Sequence, residues 1–273
     1  MPGSSVDIRT TKVGFIGAGQ MGRPMVDRLV AAGWHTEVHA RRAEARDSLS
    51  AAAIAATDSA TALAARSDLL IMCLFSDAQV REVLLQGGVL AAMRSGSLLV
   101  NHVTGSPALA LELQATAPEG VRVLDVPVSG TAESIKAGQL TLLAAGDPAD
   151  IARARGPLSS YGSPILEVGG LGDGQRVKLI NNLLFTAHLR IALAAAELGE
   201  SMGVPAAELA RVVQECSGDS FAIRRLQLAP PVALEQGAKP YLAKDVAVIR
   251  TVAAEMGVSL GMLGELAGWA DGG

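Results

Sequence analysis

The sequence predicts an α/β fold, a mostly parallel sheet followed by an all-helical domain, and three observations carry that expectation. Short apolar runs alternate with helical segments up to about Val168. Runs such as Leu69–Leu74 are apolar at every position rather than at alternate ones, the pattern of strands covered on both faces. From Gly169 onward such runs give way to long periodic stretches rich in alanine, leucine and glutamate.

Lys12–Ile16 is the first expected strand, and Gln20–Ala32 is a helix closed by Gly33. Thr36–Ala40 is a second strand, followed by a helix from about Ala43 to Ala53. Leu69–Leu74, Leu98–Asn101, Val121–Asp125 and Gln139–Ala145 are further strands, with helices at Val80–Leu85 and Pro107–Thr116. The helical part comprises Val177–Met202, Pro205–Glu215, Phe221–Ala229 and Ala243–Met256. Gly169, Gly170, Gly172 and Gly174 loosen the chain before the first of these, so the domain boundary is expected at Val168. Residues 1–11 read as a flexible tail, and Asp271–Gly273 as a frayed end.

Composition narrows the function. The 273 residues are 49% hydrophobic, enough for a sizeable core. A net charge of −4 and an aromatic content of 3% argue against a nucleic-acid partner. Cys73 and Cys216 form neither a metal-ligand spacing nor a disulfide framework, so no metal is expected. No secretory signal is visible, and Leu183–Ala196, which contains His188 and Arg190, is too short to span a bilayer. A cytoplasmic protein without a membrane partner is the expectation.

Three stretches carry chemistry. The first is Gly17-Ala18-Gly19-Gln20-Met21-Gly22, a G-x-G-x-x-G turn between a strand and a helix. Gly17 permits the tight turn, Gly19 lets the backbone approach a pyrophosphate, and Gly22 lets helix and strand pack closely. This marks residues 12–168 as a dinucleotide-binding domain. At the end of the second strand an NAD site places a carboxylate on the ribose 2′-hydroxyl. Here the chain reads His39-Ala40-Arg41-Arg42, with Glu37 at the strand's beginning. Two guanidiniums suit a 2′-phosphate, so NADP is favoured over NAD. The alternative is that Arg41 and Arg42 are solvated surface charges.

The second is Gly172–Leu184, where Lys178 and Asn182 lie four apart on one helical face amid apolar residues. A desolvated lysine has a lowered pKa and suits proton exchange with a hydroxyl, with Asn182 orienting it or binding the substrate. A lysine that snorkels to water is the other reading. The third is Asp125-Val126-Pro127-Val128-Ser129-Gly130-Thr131 at a strand end, where a hydroxyl and turn N–H groups suit a carboxylate. Taken alone it also reads as an ordinary turn.

Together, from Lys12 to Met256, these stretches resemble the β-hydroxyacid dehydrogenase family, typified by 3-hydroxyisobutyrate dehydrogenase. The resemblance rests on Gly14–Met25, Asp125–Gly130, Gly172–Asn182 and Lys244-Asp245, in the family's order and at similar spacing. It implies a Rossmann-like domain joined by a long interdomain helix to an all-helical substrate and dimerisation domain, residues 169–273, in a homodimer or homotetramer. It implies Lys178 as catalytic lysine with Asn182 as its helper, and Ser129 and Gly130, with Thr131 beside them, on the carboxylate of a small substrate. It places Thr104 near the nicotinamide, Leu74 and Phe75 along the cofactor, and Lys244 within reach of it. The implied reaction moves a hydride between NADP(H) and a small 3-hydroxy acid or a related semialdehyde or 2-oxo acid. Imine reduction on the same architecture and a catalytically silent NADP-binding protein are the alternatives; Lys178 stands against the first.

The chain departs from the family's pattern at four places. Leu74-Phe75 replaces a Leu-Pro pair, and Asn101-His102-Val103-Thr104 keeps only the last residue of its usual run. Thr131 replaces a second glycine, and Ala40 stands where NADP-using members often have asparagine. These positions border the pocket and bear on substrate choice. His102 reads either as an added polar group in that pocket or as a packing residue.

Overall fold

The computed structural model describes residues 7, 8 and 10–271. Most of the expected N-terminal tail, and Gly272 and Gly273 of the expected frayed end, lie outside them. The described residues fall into two compact units, divided between Lys178 and Leu179.

The first unit is built on six parallel strands: β1 (Lys12–Ile16), β2 (His35–His39), β3 (Ala55–Thr57), β4 (Leu69–Met72), β5 (Leu98–Asn101) and β6 (Arg122–Asp125), in the order β3-β2-β1-β4-β5-β6. Helices at Gly22–Ala31, Ala43–Ala51, Ala60–Arg66 and Pro107–Thr116, and the helical segment Asp77–Gln86 between β4 and β5, make the five crossovers. Alternate residues of the same strand enter different cores. Leu69 and Ile71 pack with Phe15, Met25 and Val100, whereas Leu70 and Met72 pack with Leu63, Leu84 and Leu99. That is why the run reads as continuously apolar. The chain reverses its order of addition between β1 and β4, and the crevice beyond such a switch point is where open α/β sheets bind ligands.

The strand expected over Gln139–Ala145 forms, as β8 (Leu140–Ala144), but it belongs to a second sheet. There it lies between β7 (Val128–Ser129, antiparallel) and β9 (Gly162–Glu167, parallel). Asp125 and Ala145 exchange backbone hydrogen bonds at 3.0 and 2.8 Å, tying this sheet to the end of β6. Val168 lies just past β9, ahead of the helix Asp173–Ser201.

The second unit is helical. It takes most of Asp173–Ser201, then Ala206–Val213, Phe221–Arg224, Pro231–Glu255 and Gly261–Ala267, around a core of Leu183, Leu193, Ile223, Val246 and Ile249. The helix Pro231–Glu255 begins well before the expected Ala243 and runs through Pro240. The first helix is 29 residues long, so by length and apolarity alone it could cross a membrane, which Leu183–Ala196 by itself is too short to do. Half of its most apolar stretch is buried inside the protein, and Lys178, Asn181, Asn182 and Arg190 interrupt it.

Candidate active site

The G-x-G-x-x-G turn sits at the end of β1, where its geometry demands glycine. Gly17 has φ +99°, and a Cβ there would lie 2.1 Å from the Cys73 carbonyl oxygen at the end of β4. A Cβ on Gly22 would lie 2.0 Å from the Gly17 oxygen, so this glycine sets the closeness of helix and turn. A Cβ on Gly19 meets nothing within 4 Å, which leaves an open cradle over the turn. Among the described residues no side chain caps the helix Gly22–Ala31; within its first turn the Arg23 N–H donates to the Gly19 carbonyl at 2.9 Å and Pro24 carries no N–H.

Beside the turn lies a cavity of about 660 Å³, lined by Gly17, Gly19, Arg23, His39, Arg41 and Arg42 among others, with no carboxylate on its wall among the described residues. Glu37 is in the middle of β2, not at its beginning, and forms a two-pronged ion pair with Arg66 at 2.6 and 2.5 Å. It is therefore engaged elsewhere. Arg46 donates to the Ala40 and Arg41 carbonyls at 2.9 and 2.8 Å, fixing the bend that carries the two arginines. Burial holds His39 below its ordinary value, with the positive Arg41 and Arg46 adding to the shift and Asp58 opposing it. The cradle, the uncapped helix and the carboxylate-free basic cavity fit a dinucleotide.

The loops after β4 and β5 leave the same edge of the parallel sheet as the turn after β1. Leu74 is half-buried, and Phe75 is 52% exposed with its N–H donating to Gln79 Oε1 at 3.0 Å. Asn101 Oδ1 accepts the Val103 N–H at 3.0 Å, which shapes the bend leading to Thr104. His102 is buried, with both ring nitrogens bonded inside the protein. Its Nδ1–H donates to the Val126 carbonyl at 2.6 Å, and Nε2 accepts the Tyr161 hydroxyl at 2.7 Å. Burial pushes its pKa down to about 4, so it is a neutral packing residue between the two sheets.

In the Asp125–Thr131 stretch, Ser129 ends β7 opposite Thr141, and Gly130 follows with φ +148°. The Thr131 hydroxyl caps the short helix Ala132–Lys136: it accepts the Ser134 N–H, and Ser134 Oγ accepts the Thr131 N–H.

Lys178 lies in the helix Asp173–Ser201 and is only 8% exposed, so its side chain is not out in solvent. One turn earlier, Gln175 is 1% exposed and donates its backbone N–H to Asp125 Oδ2 at 2.8 Å. Asp125 thus satisfies an N–H of the helix's first turn from another element. Burial lifts Asp125 to about 7, against hydrogen bonds from Gln175 that pull it down. Gln175 and Asp125 both lie in stretches that stand out in the sequence, but neither has a role there by local pattern alone.

In the second unit Asn182 donates its Nδ2–H to Asp245, and Lys244 Nζ lies 3.0 Å from the other Asp245 oxygen. Asp245, 9% exposed, joins two of the expected residues and was itself unassigned from sequence. The structure therefore gathers Gly17, Gly19, Arg41 and Arg42 around one cavity, and Asn182 and Lys244 around one carboxylate.

Known proteins share this architecture. Residues 12–170 match the family described as the NAD binding domain of 6-phosphogluconate dehydrogenase. Residues 172–269 match the family described as NAD-binding of NADP-dependent 3-hydroxyisobutyrate dehydrogenase. The NAD-dependent L-serine dehydrogenase of Pseudomonas aeruginosa is 33% identical, covering 78% of this chain and 72% of that one. The 2-(hydroxymethyl)glutarate dehydrogenase of Eubacterium barkeri is 31% identical, covering 79% and 72%. The solved 3-hydroxyisobutyrate dehydrogenase of Mycobacterium tuberculosis with L-serine superposes with a TM-score of 0.85 at 27% identity, covering 96% of this chain and 93% of that one.

Proposed function

The chain belongs to the β-hydroxyacid dehydrogenase family and is an NAD(P)-dependent oxidoreductase of hydroxy acids, and from that premise we propose that it uses NADP(H) on a small 3-hydroxy acid or the matching semialdehyde, with Lys178 as proton-exchanging group. The observation that carries this is Lys178 buried on a helix whose first turn is anchored to Asp125, at the head of the carboxylate-binding stretch.

When bound, the nicotinamide supplies or takes up the hydride. The Ser129 hydroxyl and the Gly130 N–H hold the substrate carboxylate, which fixes the distance from the acid group to the reacting carbon. In the reducing direction the Lys178 ammonium donates a hydrogen bond to the carbonyl oxygen, stabilises the charge growing there and gives up its proton. In the oxidising direction the neutral amine takes the hydroxyl proton. Thr104, Leu74 and Phe75 border the nicotinamide, and Asn182 and Lys244 complete the set by their places in the family's pattern. NADP is supported by Arg41 and Arg42 on a cavity with no carboxylate, and by Arg46 holding their bend.

A second copy of this chain is the proposed partner. Val177, Ile180, Leu184, Ile191 and Leu198 make an exposed apolar stripe along one helix, with exposed Met202 just past its end. Such a stripe is costly in water unless covered. Unpaired Cys73 and Cys216 suit a reducing cytoplasm.

The decisive experiment is Lys178→Ala, assayed by NADPH absorbance over a panel of small hydroxy acids and semialdehydes. Loss of positioned acid–base catalysis costs about 10²- to 10⁴-fold in kcat, while NADPH affinity stays near wild type. Wild-type turnover in that variant would refute the assignment.

A further inference from the structure

Resting on that reading, we infer that Gln175 is a positioning residue for the reaction: its buried side-chain amide locks the two peptide groups flanking Thr104, the Asp125 carboxylate and the helix carrying Lys178 into one register. Gln175 Oε1 accepts the Gly105 N–H at 2.8 Å. Its Nε2 donates to the Val103 carbonyl at 2.7 Å and to Asp125 Oδ1 at 2.6 Å. The same residue's backbone N–H donates to Asp125 Oδ2 at 2.8 Å.

The orientation of the amide is fixed by its partners. A backbone N–H demands the oxygen, and a carbonyl with a carboxylate demands both hydrogens of the nitrogen. No other side chain of this length offers one acceptor and two donors in that arrangement. Gly174 makes the approach possible, because a Cβ there would lie 2.8 Å from Asp125 Oδ2.

The consequence is geometric. Val103 and Gly105 flank Thr104, so pinning the carbonyl of one and the N–H of the other fixes the peptide planes on both sides of it. Asp125 opens the stretch that ends in Ser129 and Gly130. Lys178 is one helical turn beyond Gln175. All these residues lie in the first unit. A saturated buried network of this kind is rigid, and losing one member leaves several partners unpaired. A side chain that touches neither substrate nor cofactor in the proposed mechanism thereby sets the proton-exchanging amine and the nicotinamide loop relative to each other.

The test compares Gln175→Leu and Gln175→Glu in the full-length protein. Gln175→Leu keeps the volume and removes every side-chain hydrogen bond. Its kcat is expected to fall about 10- to 100-fold, the cost of a misplacement near 1 Å, with NADPH affinity within about twofold of wild type. In the cofactor-free protein, amide exchange should accelerate at Val103–Ser106 and Asp173–Lys178 and not in β1 or β4. Gln175→Glu sets a carboxyl against Asp125, which Asp173 and Arg176 also influence electrostatically. That brace holds only while the two carboxyls share one proton, so its kcat should recover toward acid pH, unlike Gln175→Leu.

Wild-type kcat in Gln175→Leu overturns the proposal, and so does a Gln175→Glu deficit that is equal at every pH. Should Gln175→Leu fail to fold, the pH profile of Gln175→Glu decides. An active Lys178→Ala enzyme would overturn the reading beneath the proposal. An inactive Lys178→Ala alongside a normal Gln175→Leu overturns the proposal alone.

Discussion

Arg41 and Arg42 line the cavity beside the glycine turn, and in the proposed reading they take the 2′-phosphate of NADP. Glu37, the nearest strand carboxylate in sequence, is bound to Arg66 and cannot serve a 2′-hydroxyl. Hydrogen bonds to charged groups contribute about 1.5–3 kcal/mol each, or roughly 10- to 100-fold in affinity. Replacing both arginines by alanine should therefore weaken NADPH by at least that factor and leave NADH nearly unchanged, as read by fluorescence titration. Equal weakening of both cofactors would show that the pair serves the fold.

His102 shows the same logic in the core. Folding lowers its pKa from 6.5 to about 4, so the folded state binds fewer protons than the unfolded chain across that interval. The stability it contributes is present above pH 6.5 and is lost as pH falls toward 4. The loss is about 3 kcal/mol, at 1.36 kcal/mol per pKa unit. Asp125 has the opposite sign, its contribution being present below its unfolded value and lost as pH rises through about 7. Denaturant melts at pH 7 and pH 4.5 should show a smaller acid loss in His102→Gln than in the wild type, with the Asp125 contribution common to both.

Among the elements, those with strong local punctuation were legible to the residue. Pro107–Thr116 begins with Ser106 accepting the Ala108 N–H and with proline at the first helical position, a start signal that needs no tertiary help. β3 was not legible, because three residues of Ala55–Thr57 carry little β preference and form only by pairing with β2. The helix Pro148–Ser159 had its Asp147 cap in plain sight, yet Gly156 and the internal Pro157 disguised it. Pro240 hid the first half of Pro231–Glu255 in the same way. Along Asp173–Ser201 the exposed stripe is an element-scale feature, since each residue repeats the last after about one or two turns. The double variant Ile191→Glu and Leu198→Glu should sediment as a monomer where the wild type sediments as a larger species. A monomeric wild type would remove the proposed self-association.

For the whole molecule, the sequence determined what depends on local pattern. The two-faced strands, the glycine turn after β1 and the change to helical texture after Gly169 follow from side-chain periodicity and backbone sterics. Contacts distant along the chain were decided only by the tertiary structure. It placed β8 in a second sheet, turned His102 inward to Val126 and Tyr161, tied Glu37 to Arg66, and set Gln175 on Asp125 and on both sides of Thr104. The reason is that a hydrogen-bonding side chain announces its need for a partner but not which one. Gln175 lies 50 residues from Asp125 and 70 from Gly105, a separation that no local rule spans and that folding alone brings within bonding distance.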